Sequence, residues 1–484
     1  MPQSPTSIVD EVGLALANLA DTATGAFVPT LRLGVTGLSR AGKTIFITAL
    51  VHNLLTSGRL AGFAPMAEGR FIGARLAEYP DATIPRFAYE QHLASLTADP
   101  PHWPEGTRRI SQLRLVLKYH SKRWRNGMRN PATLNLDIVD YPGEWLLDLP
   151  LLSQSFQEWS TEALERARRP ASQHEAGPFL SVLEGIDPAK PASDADAEAL
   201  AAAFTQYLRL SREDGRALST LPPGRFLMPG DLEGSPALTF APLPPQKGTD
   251  RHSLYHMLEQ RFEAYKDQVV RPFFKDHFLR LDRQVVLVDA LRALNAGPDA
   301  IADLESALTS VLSCFRQGEQ NPLSRLVSRR IDRILFAATK ADHLHHTSHD
   351  RLETILNRLL SSASRRARFA GAETKSIALA AIRATREGSI TENGEELPTI
   401  IGTPVAGQHF DGTTYDGKTD IAFFPGDLPE RTDSVFEDDG NEVHLNFLRF
   451  TPPRRLQRAE NGELILPHIR FDRAVDYLIG DWLK

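Results

Sequence analysis

Apolar residues fall into two rhythms along this chain. LRLGVTG at 31–37 is almost continuously apolar, the pattern of a strand buried on both faces. KTIFITALVHNLL at 43–55 presents a wide apolar face at helical spacing. Residues 110–119 alternate, with Leu113, Leu115, Leu117 and Tyr119 on one face and Arg114 and Lys118 on the other, which predicts a half-exposed strand. TLNLDIVD at 133–140 repeats this with Leu134, Leu136 and Ile138, and the basic, polar stretch between the two predicts an antiparallel hairpin. Apolar runs return at 283–291, 333–342 and 374–382, separated by amphipathic helical patterns at 298–315 and 350–368. Strands alternating with helices predict a mostly parallel sheet covered on both faces.

Two stretches break this rhythm. Residues 151–280 carry helical patches at 198–211 and 250–274 around a Pro- and Gly-rich segment at 220–245, which is too long for a connection and predicts an inserted helical subdomain. Residues 387–466 are rich in Gly, Pro and Asp, with one clean alternating strand pattern, EVHLNFLRF at 442–450, and predict a β-rich insertion on the surface. An amphipathic helix at 469–483 is expected to dock on the core, and Ile8, Val12, Leu14, Leu16 and Leu19 would line a short N-terminal helix. The expected organisation is an N-terminal helical segment (1–30), a nucleotide core in two halves (31–150 and 281–387), a helical insertion (151–280), a β-rich insertion (388–466) and a C-terminal helix (467–484).

Composition narrows the class. The 484 residues are 42% hydrophobic with a net charge of −6, enough for a large core and without the basic excess that draws a protein to nucleic acid. No stretch of about 18 apolar residues appears, so no membrane span is expected. The single cysteine, Cys314, sits in an apolar helical pattern that predicts a buried, inert thiol and fits a reducing compartment. A cytoplasmic location follows, free or peripheral at the inner face of the membrane.

The chemistry is concentrated where strands end. Gly37-Leu-Ser39-Arg40-Ala41-Gly42-Lys43-Thr44 satisfies G-x-x-x-x-G-K-[ST] between a strand and a helix. The glycines let backbone N–H groups converge on phosphate oxygens, and the helix N-terminus adds to that field. Lys43 supplies a point charge to the β- and γ-phosphates, and the Thr44 hydroxyl is placed to coordinate magnesium. Asp140-Tyr-Pro-Gly143 ends another strand: Asp140 can hold magnesium through water, and Gly143 can offer its N–H to a γ-phosphate. Thr339-Lys340-Ala341-Asp342 ends a third and resembles the N-K-x-D guanine-recognition motif of the GTPase superfamily, with threonine in place of asparagine. An aspartate there accepts from guanine N1–H and the exocyclic amine, a pair adenine cannot offer, and the lysine stem can lie over the ring. Residues 381–385, including Ile382 and Arg383, fall where GTPases place a loop whose backbone contacts the guanine oxygen.

Three further residues complete the expected site. Thr107, before the strand at 110–119, is the first choice for the threonine that meets magnesium and γ-phosphate, with Thr83 as the alternative. Glu144 follows Gly143 where Ras-like proteins carry a water-orienting glutamine; its carboxylate could accept a proton but would also repel the γ-phosphate. Arg40 either stabilises charge in cis or is solvated.

Order and content together resemble the YcjX-like family of bacterial stress-associated P-loop GTPase-like proteins. GLSRAGKT, DYPGEW, PGRFLMPGDLEGSPALTFAPL, VVLVDALRALNAG and ATKAD carry the resemblance from about residue 30 to the C-terminus. It implies an α/β P-loop NTPase fold, a Ras-like G domain with large insertions. It also implies guanine-nucleotide binding and a link to stress response and membrane-protein neighbours. The expected function is a magnesium-dependent GTP-binding switch with slow GTP hydrolysis, bound to guanine nucleotide and to a protein effector, which could itself be a membrane protein, and not to nucleic acid. A P-loop small-molecule kinase and a nucleotide-binding scaffold with little turnover are the alternatives.

Three stretches invite other readings. His345 and His349 share a helical face with metal-binding spacing, but no carboxylate cluster is evident beside them, and a solvated loop is expected. Lys122, Arg123, Arg125 and Arg129 around Trp124 read as a solvated hairpin tip in preference to a nucleic-acid or lipid site. The acidic stretch 426–442 reads as an exposed loop.

Overall fold

In the computed structural model, residues 28–484 are described apart from 38–39, 82, 107–108, 126–127, 213–221, 247–249, 315–330, 362–371, 393–394, 411, 437–444, 455 and 461. The N-terminal segment, Ser39, Thr107 and the Cys314 side chain lie outside the described residues.

A seven-stranded sheet forms the centre, in the order β2-β3-β4-β1-β5-β6-β7. Its strands are β1 (Thr30–Gly37), β2 (Phe71–Ala77), β3 (Ser111–Arg125), β4 (Met128–Asp140), β5 (Arg283–Val288), β6 (Arg333–Ala338) and β7 (Glu373–Ala378). β4, β1, β5, β6 and β7 run parallel, while β3 pairs antiparallel with β4 and β2 with β3. The fold is thus an α/β P-loop GTPase-like one with a mostly parallel sheet. Register aligns the carboxyl ends: Val35 pairs with Asp140, Gly37 with Leu287, and Val288 with Ala338, which in turn pairs with Ala378. The hairpin is longer than its apolar pattern, because the basic stretch continues the ladder, with Arg125 opposite Met128.

Period-two burial sends side chains to two cores. Val285 and Leu287 face the helix Lys43–Leu55 and the C-terminal helix Phe471–Ile479, with Phe46 edge-on to Phe471 at 5.1 Å. Val286 and Val288 face the helices Ala290–Ala296, Pro298–Cys314 and His349–Leu359. A buried Arg283 ties the end of the C-terminal helix to the sheet through Asp481 (2.7 Å) and the Leu478 carbonyl (2.8 Å). Such a charge is tolerable because its donors are satisfied.

The stretch after β4 is helical, with helices Phe156–Ala167, Gln173–Glu184, Asp194–Leu210 and Leu254–Tyr265. Ser155 and Glu158 form a capping box on the first. Their apolar faces close on an aromatic core in which Trp159 stacks on Phe262 at 5.1 Å, with Phe204 and Phe240 edge-on.

After β7 come β8 (Arg386–Glu392), β9 (Glu395–Gly402), β10 (His409–Phe410), β11 (Thr413–Thr414) and β12 (Ile421–Phe423), with β12-β9-β8 forming an antiparallel sheet. The alternating pattern at 442–450 does not become a strand over its described residues; only Phe450 bridges, to Pro404. Its neighbours explain this: Asn446 N–H bonds the carbonyl of Pro425, and prolines have no N–H with which to extend a ladder. The acidic stretch after 426 is not simply exposed either, since Leu428 and Val435 are buried against the helix His349–Leu359.

Candidate functional site

The aligned strand ends open onto a cavity of about 620 Å³, the size range of small-ligand sites. Gly37, Arg40, Ala41, Gly42, Lys43 and Thr44 line it. Gly42 has φ 81 and Arg40 φ 64, so the loop turns through left-handed backbone at two positions. Glycine meets that demand without strain, while Arg40, which has a Cβ, adopts it at a steric cost. The helix that follows has no side-chain cap on its first turn and no acidic residue there, so its N–H groups face the cavity as an anion site.

Behind the loop, Lys43 Nζ donates to the Tyr141 carbonyl (2.7 Å) and lies 3.0 Å from Asp140 Oδ1. Asp140 is fully buried, and Ser111 donates to its other oxygen at 3.3 Å. Gly143 opens a buried 3₁₀ segment, Gly143–Ser153, and the next residue, Glu144, lines the cavity. Arg212, arriving from the helical insertion, lies 3.5 Å from Glu144 Oε1. Burial holds the Arg212 guanidinium below its ordinary range, and the carboxylates of Glu144 and Asp148 oppose that shift.

Thr339, Lys340 and Asp342 line the same cavity. Thr339 N–H donates to the Val288 carbonyl at 3.0 Å, tying the loop to β5. Lys340 is left-handed at φ 61, and its ammonium pairs with Asp289. Asp342 Oδ2 accepts from Ala384 N–H at 2.8 Å and its carbonyl accepts from the Thr385 hydroxyl, which fixes one carboxylate oxygen and leaves Oδ1 for a ligand. Leu379, Ala380, Ala381 and Ile382 also line the cavity. Arg383 lies off it: its N–H donates to the Pro467 carbonyl (2.7 Å) and its guanidinium pairs with Glu387.

Gly37, Arg40, Ala41, Gly42, Lys43, Thr44, Glu144, Thr339, Lys340, Asp342 and Ile382 therefore line one cavity, with Asp140 one contact behind Lys43. The alternative switch threonine, Thr83, is elsewhere: it is exposed and bonds Asp81 at 2.5 Å. Other cavity walls have no local signal in the sequence. Trp103 donates its indole N–H to the Phe450 carbonyl (2.7 Å), and Phe450 stands edge-on to His343 at 5.4 Å. Burial lowers the His343 pKa, which favours its neutral ring. Val405 and Arg449, which follow β7 in the chain, and Met228, from the helical stretch after β4, also line the cavity. Met228 lies in RFLMPGDLEG, within the Pro- and Gly-rich segment 220–245.

That segment also braces the loop after Asp140. Asp148 accepts from Gly224 N–H (2.6 Å), Arg225 N–H (3.2 Å) and the Tyr265 hydroxyl (2.6 Å), and Trp145 donates to the Met228 carbonyl (3.3 Å).

A family model described as "YcjX-like family, DUF463" matches residues 31–483. A protein of Escherichia coli (strain K12) named "Ras-like GTPase YcjX" is 39% identical over 468 residues, covering 94% of this chain and 96% of its own. A Shewanella oneidensis protein of the same name is 38% identical over 475 residues, covering 94% of this chain and 95% of its own. Among the described residues no helix is long and apolar enough to cross a membrane.

Proposed function

The chain belongs to the YcjX-like family, and from that premise we propose that it binds GTP and GDP with magnesium, hydrolyses GTP slowly, and works as a nucleotide-controlled switch. One observation carries the proposal: Gly37, Arg40, Gly42, Lys43 and Thr44 line the same cavity as Thr339, Lys340 and Asp342. The first set takes phosphates through backbone N–H groups and Lys43. The second set reads a base through Asp342, and a carboxylate acceptor suits guanine and opposes adenine. The nucleotide core is assigned to 31–150 and 281–387, with 151–280 and 388–466 as insertions that reach its rim.

The oxygens of Thr44 and Asp140 suit magnesium, which keeps several waters and takes few protein ligands. When bound, the ion neutralises charge on the β- and γ-phosphate oxygens. Hydrolysis is attack of water on the γ-phosphorus with cleavage of its bond to the β–γ bridging oxygen, giving GDP and phosphate. Glu144 is the residue beside the cavity for orienting that water, and Arg212 offsets its negative charge. Gly143 N–H is assigned to the γ-phosphate, and the contacts of Asp148 and Trp145 would carry its movement into the helical insertion.

Calorimetric binding of GDP, GTP, ADP and ATP in magnesium tests the base assignment; guanine preference is expected, and equal affinity for adenine nucleotides contradicts it. Phosphate release from GTP without an added acceptor tests hydrolysis. The Arg212–Glu144 pair favours a second reading, binding with little turnover, because a carboxylate engaged by arginine is a weaker water-orienting group. Tight GTP binding without phosphate release would select it.

A further inference from the structure

Behind the base-facing loop, outside the nucleotide cavity, two histidines and a carboxylate converge. His346 Nδ1 lies 2.9 Å from Glu387 Oε2, His345 Nε2 lies 3.9 Å from the same oxygen, and the three atoms are all within 4.8 Å of one another. The two rings are 4.2 Å apart. We propose that His345, His346 and Glu387 form a binding site for a divalent ion of the zinc class, joining the loop after Asp342 to β8.

The donor set is two imidazole nitrogens and one carboxylate oxygen, which suits zinc, cobalt or nickel and not magnesium. A tetrahedral ion with bonds of about 2.0–2.1 Å spaces its ligands about 3.3 Å apart, so the observed separations need shifts of only about an ångström. Each of two ligands already has an outer partner of the kind that orients metal-binding groups. Thr347 Oγ1 lies 3.0 Å from His345 Nδ1, fixing that ring with Nε2 toward the site. Arg383 lies 3.3 Å from Glu387 Oε1, leaving Oε2 for the ion. His349, the partner suggested by sequence spacing, is not part of the site: it is buried, with Nε2 2.8 Å from the Ala341 carbonyl.

The site would add a second tie between two segments already joined by Asp342, whose oxygens accept from Ala384 and Thr385. The proposal does not depend on guanine binding, and its test uses the full chain without nucleotide. Metal-free protein is titrated with Zn²⁺ by calorimetry and with Co²⁺ by visible absorption, for wild type, His346→Ala and Glu387→Gln. One saturating Zn²⁺ per chain is expected, with the ligand-field bands of a low-coordinate Co²⁺ site. Affinity should fall about tenfold or more in each variant, and a Zn²⁺-dependent rise in Tm should disappear. His346 is exposed, so its loss leaves the fold intact and keeps the test valid if Glu387→Gln unfolds. No saturating Zn²⁺ in the wild type, or equal affinity in wild type and variants, overturns the proposal.

Discussion

Gly224→Ala tests the seat of the helical insertion on the loop after Asp140. Gly224 lies so close to Glu144 that an added Cβ would stand 2.0 Å from the Glu144 carbonyl oxygen and 2.5 Å from its carbon. Both are backbone atoms, so no side chain can swing away. The segment must retreat by about 1 Å to restore van der Waals contact, and overpacking of this kind costs about 1–3 kcal/mol. That retreat stretches the bonds from Gly224 and Arg225 N–H to Asp148, now 2.6 and 3.2 Å, each worth about 1.5–3 kcal/mol to a charged acceptor. A loss of about 3–5 kcal/mol follows, localised where Glu144 meets the cavity. The midpoint of urea unfolding should fall, and calorimetry should show GTP affinity and phosphate release reduced while GDP affinity holds, since the loops 37–44 and 339–342 are untouched. Gly177→Ala is the control: nothing lies within 4 Å of its Cβ. Inside a helix it should be neutral or stabilising by up to about 1 kcal/mol. A Gly224→Ala protein with wild-type midpoint and wild-type turnover would refute the seating of residues 222–228 on 143–149.

Lys43→Ala should weaken GDP and GTP by about 100-fold or more, as charge-assisted bonds of about 1.5–3 kcal/mol each are lost, and leave guanosine binding unchanged; calorimetry with all three ligands checks this, and undiminished GDP affinity would contradict it. Asp148 is fully buried, and burial pushes its pKa up to about 6, while its hydrogen bonds oppose the shift. The folded chain therefore holds this proton more tightly than the unfolded one, so stability declines as pH rises from about 4 to about 6, by up to about 3 kcal/mol. Asp148→Asn should remove that slope, so the difference between wild-type and variant unfolding midpoints should change across this window, and parallel pH profiles would contradict the assignment.

What could be read from sequence was local. GLSRAGKT needed only its own glycines and the strand and helix on either side, and the helix begins at Lys43 and ends at Leu55 as the apolar face predicts. ATKAD follows a run, β6, whose last five residues are all buried. The edge strand β2 was missed because FIGARLA has no clean alternation: sheet edges bury neither face fully, and none of its residues is fully buried. Trp103, Met228 and Phe450 reach the cavity from segments 125 and more residues apart in sequence, a closeness made by packing and not by pattern. The histidine cluster failed for a related reason. Spacing joined His345 to His349, but the carboxylate that completes the triad, Glu387, is 41 residues from His346.

The central claim is that Asp342 reads guanine. Its Oδ2 is committed to Ala384 N–H, and an asparagine can keep that bond while presenting an amide N–H₂ where the second oxygen stood. Guanine N1–H would then face a donor, whereas xanthine offers a carbonyl at C2. GDP, ADP and xanthosine diphosphate should be titrated into wild type and Asp342→Asn by calorimetry with magnesium. The wild type is expected to favour GDP over both others by about 100-fold or more, and the variant to lose GDP by a similar factor while gaining the xanthine nucleotide. Unchanged GDP affinity in Asp342→Asn, or ADP bound as tightly as GDP by the wild type, would contradict the account.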